Sequence, residues 1–596
     1  MSFSSEALPI NTATGGQQQR GGFAGFTSKH KKPIFIFLSS LVLVAAVIGV
    51  ATAVTGKSRD HSHDQNVASL EASTHALIRS ACSSTRFPEL CVSALVSTPL
   101  SASITTQKDV IEASINKTIL AVEGTYFKVL KLAAQRDLTP REKTALHDCL
   151  ENVDETLDEL RETYEDLRVY PAKRSLSEQA EDLKILLSAA MTNQESCLDG
   201  FSHDDADKKV KKALEKGVTH VRDMCSNALA MICNMTNTDI ANEKNERRLV
   251  EENITGDEGS SSSFPSWLSA GDRRLLQAAS SVTPDVTVAA DGSGNYRTVA
   301  AAVAAAPEKS SKRYVIRIKA GVYRENVEIP KKKTNLMFVG DDRKTTIITG
   351  SRNVADGSTT FKSATVAVVG TGFLARDVTF QNTAGASKHQ AVALRVGSDH
   401  SAFYRCDVLA YQDSLYVHSL RQFFRSCFIA GTVDFIFGNA AVVFQDCDIH
   451  ARRPNSGQGN MVTAQGRDDP NENTGIVIQN CRIGATSDLL PVRTSVKTFL
   501  GRPWRQYSRT VIMKTDISDV IRPEGWSPWS GNFALDTLYY AEYQNTGAGA
   551  GTGGRVKWKG FKVITSASEA NQFTAGNFVS GNSWLRSTGF PFSLTM

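Results

Sequence analysis

Two carboxylates define the chemistry open to this chain. Asp413 sits in YQDSLY and Asp434 in TVDFIFG, 21 residues apart and each in an apolar setting. Paired carboxylates in a weakly solvated groove push their pKa values apart, so one keeps its proton while the other is an anion. That pairing supplies a nucleophile and an acid/base partner. Gln412 precedes Asp413, and Gln390 lies in HQAVALR. Both are amide donors that can face a developing oxyanion. In FLGRPWRQYSRT, Arg502 can hold a carboxylate in a fork and Trp504 can stack on a sugar ring. The plainer readings are Asp residues that cap turns, a surface salt bridge and a core aromatic. The chain has no HExxH or CxxC pattern, and its Asp residues are too scattered for a calcium loop. The residues therefore call for no metal and no cofactor.

Positioning those side chains requires a repeat. From Val286 the composition turns to short Val, Ile and Phe-rich strands separated by Gly, Asn and Asp. FLARDVTFQN, AFYRCDVLAY, QFFRSCFIAG, VVFQDCDIHA and IVIQNCRIGA share one pattern, with Cys406, Cys427, Cys447 and Cys481 at the same position. Spacings of 21 and 20 residues separate the first three of these cysteines. A coil of about 20 residues predicts a parallel β-helix. Asp413 and Asp434, about one coil apart, then lie side by side. Neighbouring turns are roughly 4.8 Å apart, which brings Cys427 and Cys447 within disulfide reach. A Cys427–Cys447 bridge is expected, with a buried ladder of free thiols as the alternative.

The chain before this repeat is different. Residues 66–238 space apolar residues at three and four, with Pro140 in a joint, and predict an antiparallel helical bundle. Cys82 and Cys91 can clip its first hairpin, and Cys149 and Cys197 can staple two helices. Cys225 and Cys233 can pair or stay free. Residues 1–32 read as a disordered cytosolic tail ending in Lys29-His30-Lys31-Lys32. Residues 33–56 are apolar and uncharged, long enough to cross a bilayer core of about 30 Å. The flanking basic residues predict an N-in orientation for this signal anchor or cleaved signal peptide. Everything beyond it is delivered to the lumen. Ten cysteines and glycosylation sequons at Asn116, Asn234 and Asn253 fit that route. Residues 239–280 read as a polar linker with dibasic sites at Arg247-Arg248 and Arg273-Arg274, open to a processing protease.

Charge divides the same way. In 596 residues the net charge is +5, but from Ala278 onward Lys and Arg number 36 against 25 Asp and Glu. That part is net +11 and the remainder net −6. A basic half suits a polyanionic partner, and the acidic half can sit against it. Nucleic acid would satisfy the charge, yet no nucleic-acid-binding motif is present.

The segments GSGNYRTVAAAV, KAGVYREN, QAVALRVGSD, YQDSLYVHS, GTVDFIFGNA and LGRPW resemble the motif series of plant pectin methylesterases, in family order from about Val286 to the C-terminus. The preceding bundle, with HDCLE and ESCLDGF, resembles the inhibitor domain that many of these enzymes carry as a pro-region. Arg273-Arg274-Leu275-Leu276 is similar to the processing motif between them. Departures are conservative: Ser414 where the family often has Thr, and an extra Cys pair in the bundle.

The resemblance implies a multidomain chain, with an all-α four-helix-bundle pro-domain followed by an all-β, right-handed parallel β-helix over 281–596. It implies hydrolysis of the methyl esters of galacturonate in pectin. Asp434 would be the nucleophile, Asp413 the proton donor and then base, and Gln412 the transition-state stabiliser, with Gln390 beside it. Thr360, Gln390, Arg502 and Trp504 would contact substrate. The expected partners are methylated pectin, a processing protease and external inhibitor proteins. The expected destination is the cell wall, with a monomeric mature domain that touches a membrane only through the N-terminal segment.

Other readings have weaker support. Asn237-Thr238-Asp239, Gly340-Asp341-Asp342 and Arg317-Ile318-Lys319 echo polygalacturonases, but in the wrong order and without Gly-His-Gly. A pectate lyase needs a calcium-binding carboxylate cluster, which is not evident. A non-enzymatic inhibitor, a wall-binding protein or an anchored structural protein leaves the set Asp413, Asp434, Gln390, Gln412 and Arg502 unexplained.

Overall fold

Short strands of Val, Ile and Phe recur because each coil has three straight sides and three corners. The structure, a computed structural model, describes residues 61–96, 104–171, 175–202, 208–251 and 283–596. From Val286 on, the strands form three parallel sheets of eleven, seven and eight strands. Successive strands of the chain enter different sheets, so each sheet gains one strand per coil. Register is strict: Leu394 pairs with Leu415, and Leu415 with Ile436. Inward-facing side chains therefore stack on their own kind, as in the ring column Phe403, Phe424 and Phe444.

One corner explains the repeat. The residue before each aligned cysteine (Arg405, Ser426, Asp446 and Asn480) has a φ of 52–53°. This left-handed turn is uncommon for residues other than glycine, and Asn and Asp tolerate it best. The cysteine that follows points into the core.

The Cys427–Cys447 bridge is not formed. Cys406, Cys427, Cys447 and Cys481 are all free and buried. In-register parallel coils point like side chains the same way, so the thiols stack rather than turn toward each other. Each is already engaged with backbone: Cys427 N–H donates to Cys447 Sγ at 3.4 Å, and Cys447 Sγ lies 3.5 Å from Phe424 O.

The N-terminal region is helical: α1 (His61–Cys82), α2 (Pro88–Val96), α3 (Gln107–Ala133), α4 (Pro140–Val169), α5 (Leu176–Asp199) and α6 (Lys208–Glu251). Pro140 does mark a joint, as the first residue of α4. Thr139 caps that helix in a capping box with Glu142. The helices bury two apolar clusters of their own, the larger of which also takes in Ile78 of α1 and Leu95 of α2. Cys82–Cys91 and Cys149–Cys197 are disulfides, and Cys225 and Cys233 are free.

Among the described residues, helix extends past the expected bounds of 66 and 238 on both sides, covering His61 and Glu251. Residues 239–251 lack an apolar stripe, but they are good helix formers with no Gly or Pro, so α6 continues through Arg247-Arg248. The apolar run 33–56, Asn253 and the Arg273-Arg274 site lie outside the described residues. Among the described residues, no helix is long and apolar enough to cross a membrane.

Leu70–Met596 form one compact unit. Within it, Ile185, Leu186 and Ala189 of α5 share a core with Phe423 and Val443 of the eleven-stranded sheet and with Leu420 just before it. That contact sets the end of α5 beside the coil's seven-stranded face.

Candidate active site

The pairing of Leu415 with Ile436 fixes the site, because Asp413 and Asp434 each lie two residues earlier and so come from neighbouring coils. Both have a positive φ, 60° and 51°. Such backbone persists where surrounding structure holds it, and it often marks a functional position. Both carboxylates are buried, at 7% and 6% exposure.

The two environments differ. Arg502 Nε donates to one oxygen of Asp434 at 2.8 Å, and Nη2 donates to the other at 2.6 Å. Burial raises the Asp434 pKa, and Arg502 works against that rise. Asp413 has no such fork. Burial and then the nearby Asp434 hold its carboxyl well above the usual range, with Arg502 opposing only weakly. The pair is thus unequal, with burial favouring a proton on Asp413 and a cation favouring charge on Asp434, an asymmetry that suits nucleophilic attack followed by proton donation.

A cavity of about 330 Å³ brings together Thr360, Gln390, Gln412, Asp413, Asp434, Arg502 and Trp504. All seven candidate catalytic and substrate residues therefore lie in one place. Its floor is aromatic. Tyr416 stacks on Phe437 with centroids 4.3 Å apart, and Phe437 meets Trp504 edge-on at 6.0 Å. Gly466 makes room for Trp504, since a Cβ there would lie 2.9 Å from the indole ring. Trp529 forms the opposite wall, with the Arg502 guanidinium 4.3 Å from its ring centre.

Sequence reasoning missed Phe361, Tyr416, Phe437 and Trp529. Tyr416 and Phe437 are 21 residues apart, the same interval as the two Asp residues, and that interval could have found them. Trp529 had only the doubled tryptophan of WSPW as a signal.

The helical region closes this cavity. Ser196, Asp199, Gly200 and Ser202, at the end of α5, line it too. Arg505 holds Asp199 at 2.7 Å and Glu195 at 3.2 Å. Ser196 Oγ lies 2.7 Å from His418 Nε2. Burial and then Arg395 depress the His418 pKa to about 3, so that ring is neutral. On α4, Glu151 bridges Lys362 at 2.6 Å and Arg395 at 3.1 Å. Burial opposes its charge, but Arg395 and Lys362 bring its pKa down to about 2. Its neighbour Asp148 accepts from Thr359, yet burial lifts its pKa to about 7.

Among the described residues, no group of three or more His, Cys, Asp or Glu is placed to hold a metal ion.

Comparison with known proteins bears on both halves. The family model described as Pectinesterase matches residues 285–582, and the one described as Plant invertase/pectin methylesterase inhibitor matches residues 76–231. A Solanum lycopersicum protein named Pectinesterase/pectinesterase inhibitor U1 is 66% identical over 575 residues, 95% of this chain and 97% of that protein. Pectinesterase/pectinesterase inhibitor 3 of Arabidopsis thaliana is 69% identical over 584 residues, 95% of this chain and 97% of its own. The solved pectin methylesterase from carrot is similar at 76% identity and a TM-score of 0.53, covering 54% of this chain and 100% of its own. In that relative the C-terminal half stands as a complete folded protein.

Proposed function

This chain belongs to the pectinesterase family and carries the inhibitor-type domain ahead of the enzyme, and from that premise we propose how its residues share the work. Asp434 attacks the C6 ester carbonyl of a methylated galacturonate. The amides of Gln412 and Gln390 stabilise the tetrahedral oxyanion. As the intermediate collapses, the C–O bond to the methoxy group breaks and Asp413 gives it a proton, releasing methanol. An acyl anhydride with Asp434 remains. Asp413, now a carboxylate, takes a proton from water as that water attacks the anhydride. The products are a free uronate, regenerated Asp434 and reprotonated Asp413. Arg502 keeps Asp434 ionised and aimed, and Trp504, Trp529 and Thr360 hold the sugar.

The observation carrying this reading is the asymmetry of the pair: a fork from Arg502 on Asp434, and beside it a buried Asp413 that lacks such a fork. The test is methanol release from highly methylated pectin by segment 283–596, with and without chelator, beside Asp434→Asn. Chelator-resistant release that the substitution abolishes is expected. Shortened chains without methanol would point to a glycosidase or lyase instead.

The helical region acts as an inhibitory pro-region in this reading: a right-handed parallel β-helix is masked by a four-helix bundle built on α3 to α6. The end of α5 lies where pectin must enter, which supports it. Cutting at Arg273-Arg274 by a processing protease, glycosylation at Asn116, Asn234 and Asn253, and secretion to the cell wall complete it. So do a first segment that anchors or is cleaved, a monomeric mature enzyme and later control by external inhibitor proteins.

A further inference from the structure

The turns that carry Asp413 and Asp434 are gripped from outside the cavity by the coil that follows them. In the eight-stranded sheet the strands Asp407–Leu409, Phe428–Gly431 and Asp448–Ala451 are successive neighbours. Leu409 pairs with Ala430, and Ala430 with His450. Continued by two residues, that register sets Tyr411, Thr432 and Arg452 in one column. At about 4.8 Å per coil, Arg452 starts roughly 10 Å from Tyr411. Its long side chain crosses that distance over Thr432, which is small and buried.

Arg452 touches both catalytic turns. Its backbone N–H donates to Gly431 O at 2.7 Å, at the start of the turn that leads to Asp434. Its Nη1 donates to Ala410 O at 2.8 Å and its Nη2 to the Tyr411 hydroxyl at 2.9 Å, just ahead of Gln412 and Asp413. The guanidinium lies over the Tyr411 ring, 3.8 Å from its centre. A planar fork that bonds and stacks at once is a fit lysine cannot reproduce. The two turns are also tied directly. Thr432 N–H donates to Tyr411 O at 2.9 Å, and Asp413 N–H to Val433 O at 3.0 Å. Gly431 lets them meet, since a Cβ there would lie 2.3 Å from Ser414 Oγ and 2.7 Å from Tyr411 O. Arg452 and Tyr411 themselves lie outside the cavity lining.

We infer that Arg452 is a positioning residue for the ester chemistry: by clamping Tyr411 and Gly431 it fixes the spacing between the Gln412–Asp413 turn and the Asp434 turn. The inference rests on the esterase reading above and deepens it. Both Asp residues have left-handed backbone, which the surrounding structure must hold in place. A shift of about 1 Å in a reacting group costs on the order of 100-fold in rate. The clamp also keeps the turn closed over Asp413. Burial chiefly raises the Asp413 pKa, with the facing Asp434 adding to it and Arg502 opposing it. A turn freed from Arg452 admits water, and that pKa then falls toward the ordinary carboxylate range.

The test uses segment 283–596, a unit with its own core and, in the carrot relative, a complete folded protein. Methanol release from methylated pectin is followed across pH for Arg452→Gln, Arg452→Lys, Tyr411→Phe and the unaltered segment. Arg482→Gln, which breaks an exposed ion pair with Asp448 on the same sheet, is the control. Arg452→Gln is expected to lower kcat about 10- to 100-fold with KM little changed. The alkaline limb of kcat/KM, where Asp413 gives up its proton, should move down by about one pH unit. Tyr411→Phe keeps the ring and loses the hydroxyl, so it should show both changes in smaller measure. Arg452→Lys should recover part of both, and Arg482→Gln should alter neither. A lowered Tm with kcat and the alkaline limb unmoved would overturn the inference and leave Arg452 a structural residue. A rise in KM alone would overturn it too, and would make Arg452 a sugar contact. If Arg452→Gln does not fold, Tyr411→Phe decides by the same readouts. No methanol from the unaltered segment would overturn the esterase reading as well.

Discussion

Arg502 grips Asp434 by both oxygens, through Nε at 2.8 Å and Nη2 at 2.6 Å, while its guanidinium also lies against Trp529. The arrangement joins charge, aim and cavity wall in one side chain. Arg502→Gln should lower kcat about 100- to 1,000-fold, the scale seen when one preorganised electrostatic contact is removed. It should also move the acid limb of the rate profile. Arg502 opposes the burial that raises the Asp434 pKa, so without it that pKa rises further and activity fails at a higher pH. A pH profile of kcat/KM checks this. An acid limb that stays in place would mean Arg502 acts on substrate alone.

Gly466 and Trp504 give a test of the sugar platform separate from the acids. A methyl group at 466 would press on the indole at 2.9 Å, and the ring must move aside. Gly466→Ala should raise KM about tenfold, as expected when ~1 kcal/mol or more of ring contact is lost. The folding of the segment and the state of Asp434 should be unaffected. A loss confined to kcat would place Trp504 in the chemistry rather than in sugar binding.

These relationships were unequally legible in the sequence. The interval of 21 residues placed Asp413 beside Asp434, because a coil of fixed length turns sequence spacing into spatial adjacency. The same regularity misled at Cys427 and Cys447, since adjacency does not tell which way two stacked thiols point. Residues 239–251 were read as linker because they lack an apolar stripe, although intrinsic propensity carries α6 onward. The contacts of Asp199 with Arg505 and of Glu151 with Arg395 were beyond pattern reading. Charge imbalance allowed the halves to meet, but did not say which carboxylate would enter the cavity.

The thiol ladder has a direct assay. Denatured segment 283–596 should titrate as four free thiols, those of Cys406, Cys427, Cys447 and Cys481. Reductant should leave its Tm unchanged. Cys427→Ser should cost about 1–2 kcal/mol, since a polar hydroxyl replaces a thiol packed in a closed core. The helical region should respond differently. The Cys149–Cys197 bridge closes a loop of 48 residues, so its reduction should cost about 4 kcal/mol by loop entropy. A reductant-sensitive Tm in the isolated enzyme half would restore the bridge that the structure lacks.

Masking should depend on pH, and the sign follows from the buried acids of α4. Asp148 is raised from an ordinary 3.8 to about 7, chiefly by burial and against the Thr359 hydroxyl, with Lys362, Glu151 and Arg395 nearby. Glu155 is likewise raised to about 7 by burial and by Glu151, against Arg395 and Lys331. Where docking against the enzyme causes that burial, the docked state holds these protons more tightly than the separated domains. This contribution is fully present below the ordinary carboxylate range and is lost as pH rises through about 7. Glu151 has the opposite shift, to about 2, so its contribution is constant above the ordinary range and cannot offset the loss. Docking of fragment 61–251 onto segment 283–596 should therefore weaken as pH rises from about 5 to 7.5. The Kd should increase about ten- to 100-fold, below the linkage limit of tenfold per proton per pH unit. Calorimetry in buffers of different ionisation enthalpy would show the protons taken up on binding. Asp148→Asn should flatten the dependence while preserving affinity at the acid end. Binding that does not change between about pH 5 and 7.5 would mean that Asp148 and Glu155 are buried by the fold of the helical region itself, and that ion pairs such as that of Glu151 hold the docked state instead.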